Sequence, residues 1–155
     1  MKFYAHSNEK GQLQTLEEHL ENVAKLSSDF SKKFGAQQLG YIVGVMHDIG
    51  KYSIEFQQRL LKNGKKVDHS TAGAIEVEKL LGKIFKILLG YIICGHHSGL
   101  MDYGSEESGL IYRFNKKIPS YIYRGPEIHV DKEKIRKEIK RERIGNGGFT
   151  VAFFI

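Results

Sequence analysis

The placement of the histidines constrains the fold of this chain more than any other sequence feature. Six of the seven lie at predicted helix ends, on apolar helix faces or next to Asp, Ser and Gly, and only His129 lies in a polar loop. A single buried histidine is usually a hydrogen-bonded core residue. Several buried imidazoles beside a carboxylate would repel one another and lose protons unless a cation organised them. Neutral imidazole and carboxylate are the ligand set of borderline divalent metals, so metal binding is the better explanation. The six are His6, His19, His47, His69, His96 and His97.

Apolar periodicity predicts an almost entirely helical chain. Thr15 and Glu18 form a capping box for a first helix, whose apolar face carries His19 and continues through Phe30 and Phe34. The mixed charges of residues 132–143 are typical of a solvated helix face. No convincing strand is predicted. The other helices are predicted from about Ala36 to a stop at Gly50, from Ser53 to the Asn63-Gly64 turn, from near Asp68 to Gly82, and from about Lys83 to Cys94 with Ile84 facing inward.

The neighbouring residues His47 and Asp48 lie at the predicted end of the second helix, just before Gly50. Adjacent helical side chains diverge by roughly 100°, so the two can meet one metal only where the helix finishes. One carboxylate with many histidines suggests a site with two ions about 4 Å apart, which activates water and holds a phosphate. Lys51 could offset charge on a phosphoryl oxygen. It could equally be a surface lysine favoured by the helix dipole.

Charge and composition narrow the class of protein. The net charge of +6 and the pI near 9.3 favour polyanionic partners such as nucleic acid. No apolar run is long enough for a membrane span, and the N-terminus lacks the apolar core of a signal peptide. We therefore expect one cytoplasmic domain over residues 1–155, without a membrane partner. The single cysteine, Cys94, is predicted to be a reduced core residue.

Four ordered motifs resemble the HD nuclease domain of CRISPR-associated type I interference, and the likeness covers residues 3–103. They are His19; His47-Asp48-Ile49-Gly50-Lys51-Tyr52-Ser53 with Phe56-Gln57; Asp68-His69-Ser70-Thr71-Ala72-Gly73-Ala74; and Gly95-His96-His97-Ser98-Gly99-Leu100. The resemblance implies an all-α HD-domain helical bundle of the HD phosphohydrolase superfamily. It also implies a metal-dependent endonuclease and exonuclease that acts on single-stranded DNA in antiviral defence. A superfamily 2 helicase, fused or separate, and a CRISPR surveillance complex would be its partners.

The resemblance also assigns roles to single residues. Asp48 is the carboxylate shared between the ions, and Lys51 approaches substrate phosphate or active-site water. Ser70 and Ser98 lie beside ligands and could orient them. His6 matches an opening motif of the family, Tyr4-Ala5-His6-Ser7, to which the resemblance assigns no role. The cofactors would be two divalent transition-metal ions, drawn from manganese, nickel, cobalt, iron and zinc. The metal ligands are His19, His47, Asp48, His69, His96 and His97.

One departure from the family concerns the end of the chain. The family places a further metal-binding aspartate after an apolar stretch that resembles residues 148–155, and this sequence ends inside that stretch. We therefore expect a domain that is incomplete at its C-terminus, with a weakened first metal site and impaired activity. Two alternatives stay open: an HD-type phosphohydrolase of nucleotides or cyclic nucleotides, and a degenerate module that binds metal without catalysis.

Overall fold

The structure is a computed structural model that describes residues 1–62, 64–123, 126 and 128–141. Within these ranges the chain forms seven α-helices, one 3₁₀ helix and a small antiparallel sheet. The predicted turn residue Asn63 and the apolar stretch 148–155 lie outside the described residues. The elements are β1 (Tyr4–Ser7), β2 (Leu13–Thr15), α1 (Leu16–Lys32), α2 (Gln37–Met46), the 3₁₀ helix (Ile49–Tyr52), α3 (Ile54–Lys62), α4 (Thr71–Leu81), α5 (Lys83–Gly95), α6 (Leu110–Asn115) and α7 (Lys132–Arg141).

The predicted all-α class is confirmed, with one addition at the N-terminus. Strands β1 and β2 pair antiparallel, and His6 lies opposite Gln14. The turn between them is closed by the Asn8 side chain, which accepts from two backbone N–H groups, and by Gly11 at φ 72°. This hairpin is the strand pair that the periodicity did not predict.

Helix α1 begins at the predicted cap but buries a different face from the predicted one. The Thr15 hydroxyl accepts from the Glu18 amide at 3.4 Å, as the capping box requires. Phe30 and Phe34 are exposed, which corrects the prediction that they continue the core-facing stripe. The reason is that α1 meets α2 through small residues, because a side chain on Gly44 would collide with the Ala24 backbone. The helices therefore approach closely on that side, and the larger aromatic residues point away.

Helix α2 is central, as its apolar composition predicts, and contacts α1, α4, α5 and α7. Ile42 and Met46 of α2 join Ile93 of α5 in the main core cluster. Burying aliphatic side chains of this size stabilises the fold by about 1.5–3 kcal/mol each. This core fixes the ends of α2 and α5 relative to each other, and both ends carry predicted metal ligands.

The remaining helices follow the predicted bounds with two differences. Gly82, at φ 95°, separates α4 from α5 as predicted. Ile84 is exposed rather than inward, because α5 turns Leu89 and Ile93 toward the core instead. Helix α6 was not predicted, whereas α7 fits the charged run and buries only Ile135 among its described side chains. Cys94 is buried as predicted, and burial raises the pKa of its thiol to about 11.

Within the described ranges, no helix combines the length and the apolar character needed to cross a bilayer.

Candidate metal centre

Four separate segments bring the predicted ligands to one place. Helix α1 contributes His19, and the turn after α2 contributes His47 and Asp48. The segment before α4 contributes His69, and the turn after α5 contributes His96 and His97. Asp48 lies at the centre, with only 2% of its surface exposed. The structure therefore gathers all six predicted ligands, while their binding of metal stays a prediction.

One side of the cluster, which we call subsite A, consists of His19, His47 and the Oδ2 atom of Asp48. The Nε2 atoms of His19 and His47 each lie 3.1 Å from Asp48 Oδ2. They also lie 3.1 Å from each other. Three potential donor atoms thus form an equilateral triangle.

The other side, subsite B, consists of Asp48 Oδ1 with His69, His96 and His97. The Nε2 atoms of His69 and His96 each lie 3.4 Å from Oδ1, and Nε2 of His97 lies 3.0 Å from Nε2 of His69. One donor atom from each of the four residues falls within 4.8 Å of the others. Each oxygen of Asp48 therefore belongs to a different subsite, as a shared carboxylate requires.

The spacing of these atoms fits a divalent transition metal. Nitrogen and oxygen donors about 2.1 Å from one ion lie about 3.0 Å apart in an octahedron and about 3.4 Å apart in a tetrahedron. The contacts around Asp48 run from 3.1 to 3.4 Å. These distances match the distance between neighbouring donor atoms in an octahedral or a tetrahedral site.

Backbone carbonyls orient three of the histidines. His47 Nδ1 lies 2.7 Å from the Gly44 carbonyl, and His96 Nδ1 lies 2.6 Å from that of Ile93. His69 Nδ1 lies 3.2 Å from the Val67 carbonyl. A carbonyl can only accept, so Nδ1 carries the proton in each ring. The Nε2 lone pair of a neutral ring is then left to face Asp48, which is the tautomer that binds metal.

The protonation states leave an electron-rich centre that a cation would complete. Burial alone would raise the pKa of the Asp48 carboxyl, but in its surroundings that pKa lies well below its usual range, so the group is a carboxylate. Burial lowers the pKa of His69 to about 4, so its ring is neutral at pH 7. Asp48 Oδ1 consequently faces an imidazole lone pair, and it has no hydrogen-bond partner among the described residues. A metal ion held by these residues would satisfy this buried acceptor.

Lys51 is part of the centre and not a surface residue. Only 2% of its surface is exposed, which excludes the interpretation as a solvated lysine at a helix terminus. Its ammonium donates to Asp48 Oδ2 at 2.7 Å and to the Ala5 carbonyl at 3.2 Å. Its action on a substrate phosphate stays a prediction, while its charge already compensates that of Asp48.

Gly50 positions His69 and does not end α2, because the helix stops at Met46. Its amide donates to the His69 carbonyl at 2.9 Å. A Cβ at position 50 would collide with the carbonyl oxygen, Cα and carbonyl carbon of His69. The glycine therefore lets the segment that carries His69 approach the turn that carries Asp48.

Ser70 and Ser98 lie beside ligands, as the sequence requires, but their side chains behave differently from one another. Ser70 is buried, whereas Ser98 is exposed. Neither hydroxyl makes a hydrogen bond to a histidine within the part of the chain that the structure describes. Their role in orienting ligands stays a prediction, and the three carbonyls perform that role at His47, His69 and His96.

Two residues that the sequence left without a role also belong to this region. His6 of β1 stacks edge-to-face on His19, with ring centroids 4.7 Å apart. Arg113 of α6 donates to the Cys94 carbonyl at 2.6 Å and contacts Asp68 at 3.5 Å. It thereby links the segment before His69 to the end of α5. A lone arginine far along the chain carries no sequence signal for such a link.

A large cavity of about 1230 Å³ lies against the centre. It exceeds the roughly 300–1,000 Å³ of pockets that enclose small ligands. His6, Lys51, His69 and His97 form part of its wall. Basic residues elsewhere in the lining include Arg59, Lys66 and Lys116. Acidic residues, among them Asp102 and Glu107, line it as well.

Comparison with known families agrees with this geometry. A family model described as HD domain matches residues 16–144, a range that includes all six predicted ligands. No curated protein matches the chain.

Proposed function

The chain belongs to the HD domain family, whose members are metal-dependent phosphohydrolases. From that premise we propose that it is a nuclease of CRISPR interference. Its reaction would be metal-dependent hydrolysis of phosphodiester bonds in single-stranded DNA, as part of antiviral defence. The order of the four histidine motifs along the sequence supports this choice within the superfamily.

One observation carries the proposal: both oxygens of the buried Asp48 face histidine nitrogens from several segments. His19 and His47 approach Oδ2, and His69 and His96 approach Oδ1. This arrangement suits two ions that share one carboxylate, with manganese, nickel, cobalt, iron and zinc all compatible with the ligands. Such ions, when bound, generate a hydroxide nucleophile at neutral pH and neutralise charge on the phosphate.

The residues of the chain prepare the site for that chemistry. The carbonyls of Gly44, Val67 and Ile93 hold histidine rings in one tautomer, so little reorganisation is needed during reaction. Lys51 offsets the charge of Asp48 and also borders the cavity. From there its ammonium would stabilise negative charge on a phosphoryl oxygen as the attacked phosphate gains a fifth ligand.

The cavity favours a polymeric substrate over a free nucleotide. Its volume of about 1230 Å³ is more than a mononucleotide pocket needs. Arg59, Lys66 and Lys116 in its lining can neutralise successive phosphates of a strand, with release of counterions. Binding of single-stranded DNA should therefore weaken as salt rises.

The remaining parts of the proposal rest on the resemblance of the sequence motifs. A superfamily 2 helicase, fused or separate, would supply the unwound strand, and a CRISPR surveillance complex would select the target. The protein would act in the cytoplasm as a single nuclease domain over residues 1–155.

The proposal is tested by incubating the purified protein with manganese and labelled single-stranded DNA in the absence of ATP. We expect cleavage by the wild-type protein, none after a chelator is added, and none by Asp48→Ala. His129→Ala serves as the matched control, since it removes a histidine outside the metal centre, and should cleave normally.

Three results would contradict the proposal. Full cleavage by Asp48→Ala would exclude the shared carboxylate as part of the mechanism. Faster hydrolysis of free nucleotides than of single-stranded DNA would favour the nucleotide phosphohydrolase. Metal binding without hydrolysis of either substrate would favour a degenerate module.

A further inference from the structure

We infer that His6, supplied by strand β1, is a further protein ligand of subsite A, in addition to His19, His47 and Asp48. The inference rests on the metal centre of the proposed function. It concerns a residue outside the helical motifs and outside the matched range 16–144.

The position of the His6 ring carries the inference. Its centroid lies 4.7 Å from that of His19, in an edge-to-face arrangement. One donor atom each from His6, His19 and Asp48 falls within 4.8 Å of the other two. Two donors on opposite sides of one ion, each about 2.1 Å away, are about 4.2 Å apart. Small side-chain adjustments therefore suffice for His6 to share an ion with His19 and Asp48.

The Lys51 ammonium shows which nitrogen of His6 faces the cluster. Lys51 Nζ lies 3.5 Å from His6 Nε2 and 2.7 Å from Asp48 Oδ2. An ammonium can only donate, so Nε2 is the acceptor nitrogen of the His6 ring. The His6 lone pair and the Asp48 carboxylate are thus directed at the same positive charge. A metal ion that took the place of the ammonium at this point would meet both donors.

The backbone around His6 is fixed, so its position is not an accident of an unattached N-terminus. The Gln57 side chain accepts from the Tyr4 amide at 3.0 Å and donates to the Tyr4 carbonyl at 3.0 Å. The next residue, Ala5, is buried, and its carbonyl accepts from Lys51. Two side chains near the metal centre, Gln57 and Lys51, therefore hold the strand immediately before His6.

The test is a titration of the metal-free, full-length protein with cobalt(II). Binding is measured by calorimetry and by visible absorption. We compare wild type with His6→Ala, with His97→Ala as a reference for subsite B, with Asp48→Ala as a variant that lacks the shared carboxylate, and with His129→Ala as a control. We expect His6→Ala to weaken one cobalt-binding step by about tenfold or more. The cobalt absorption bands should also change, because water replaces a nitrogen ligand. His129→Ala should match wild type.

A double variant separates the two subsites. If His6 and His97 bind different ions, His6→Ala and His97→Ala should weaken different cobalt-binding steps, and the double variant should be weakened at both steps. Circular dichroism checks that each variant is folded. If His6→Ala is not folded, His6→Gln takes its place in the comparison. Glutamine keeps a polar side chain but binds transition metals poorly.

Wild-type affinities and an unchanged cobalt spectrum in folded His6→Ala would overturn the inference. If Asp48→Ala nevertheless loses cobalt in that experiment, the metal centre of the proposed function stands without His6. If Asp48→Ala also binds cobalt like wild type, both the inference and the proposed metal centre are wrong.

Discussion

Replacing Gly50 with alanine should damage the metal centre, although residue 50 is not a ligand. The new Cβ would lie 2.6 Å from the His69 Cα and 2.7 Å from its carbonyl carbon, where ordinary contacts begin at 3.4 Å. The carbonyl oxygen of His69 lies closer still, so the backbone of His69 must retreat by at least about 0.8 Å to restore normal van der Waals contact. That movement also stretches the hydrogen bond from the Gly50 amide to the His69 carbonyl, now 2.9 Å.

The expected size of the effect follows from this displacement. Metal–ligand distances tolerate only about 0.2 Å, so a shift several times larger removes His69 as an effective ligand of subsite B. We expect the affinity of one cobalt-binding step to fall by about tenfold or more. Overpacking of this kind destabilises a protein by about 1–3 kcal/mol. For a chain of this length that lowers Tm by about 2–12 °C.

The assay pairs thermal unfolding, followed by circular dichroism, with cobalt titration. Gly104→Ala is the matched control, since the nearest atom to its new Cβ is 4.0 Å away and its φ is not positive. The reasoning is refuted if Gly50→Ala and Gly104→Ala have the same Tm and the same cobalt affinities. A lower Tm of Gly50→Ala with unchanged cobalt affinity would refute only the claim that Gly50 positions His69 for metal binding.

Three further predictions concern the surroundings of Asp48. Lys51→Met leaves the Asp48 carboxylate without the ammonium, so the free energy of unfolding of the metal-free variant should fall by about 3–5 kcal/mol. Cobalt should then raise the Tm of this variant more than it raises the Tm of wild type. Arg113→Ala removes the bond to the Cys94 carbonyl; Tm should fall, and the cobalt step of subsite B should weaken. Burial lowers the folded-state pKa of His69 from its ordinary value of 6.5 to about 4. Metal-free stability should therefore be full above pH 6.5 and decline by up to about 3 kcal/mol toward pH 4, as measured by urea unfolding; a flat profile would contradict the shift.

Much of the fold was predictable because its signals are local. The Thr15–Glu18 capping box sets the start of α1, and Gly82 at positive φ sets the boundary between α4 and α5. The ligand-bearing segments were recognisable because three of them combine histidines with helix-ending or helix-starting residues and the fourth carries His19 on an apolar helix face. The sequence could place these segments at helix ends, but only tertiary packing brings their side chains together.

The predictions failed where distant residues decide the outcome. Phe30 lies on the exposed side because the close contact of Gly44 with Ala24 sets the rotation of α1. Lys51 is buried because Asp48 and the Ala5 carbonyl accept from its ammonium. Neither contact is visible in a single window of sequence. The N-terminal hairpin had a readable signal, the Asn8 to Gly11 turn, but its strands are too short for periodicity to detect.

The most direct test of the metal centre is the metal content of purified protein after saturation with cobalt and removal of free ions. Wild type and Asp48→Ala are compared by elemental analysis, with circular dichroism to confirm folding. The shared position of Asp48 between both subsites predicts that wild type retains cobalt and that Asp48→Ala loses it from both. Equal cobalt content in the two folded proteins would contradict a centre built on Asp48.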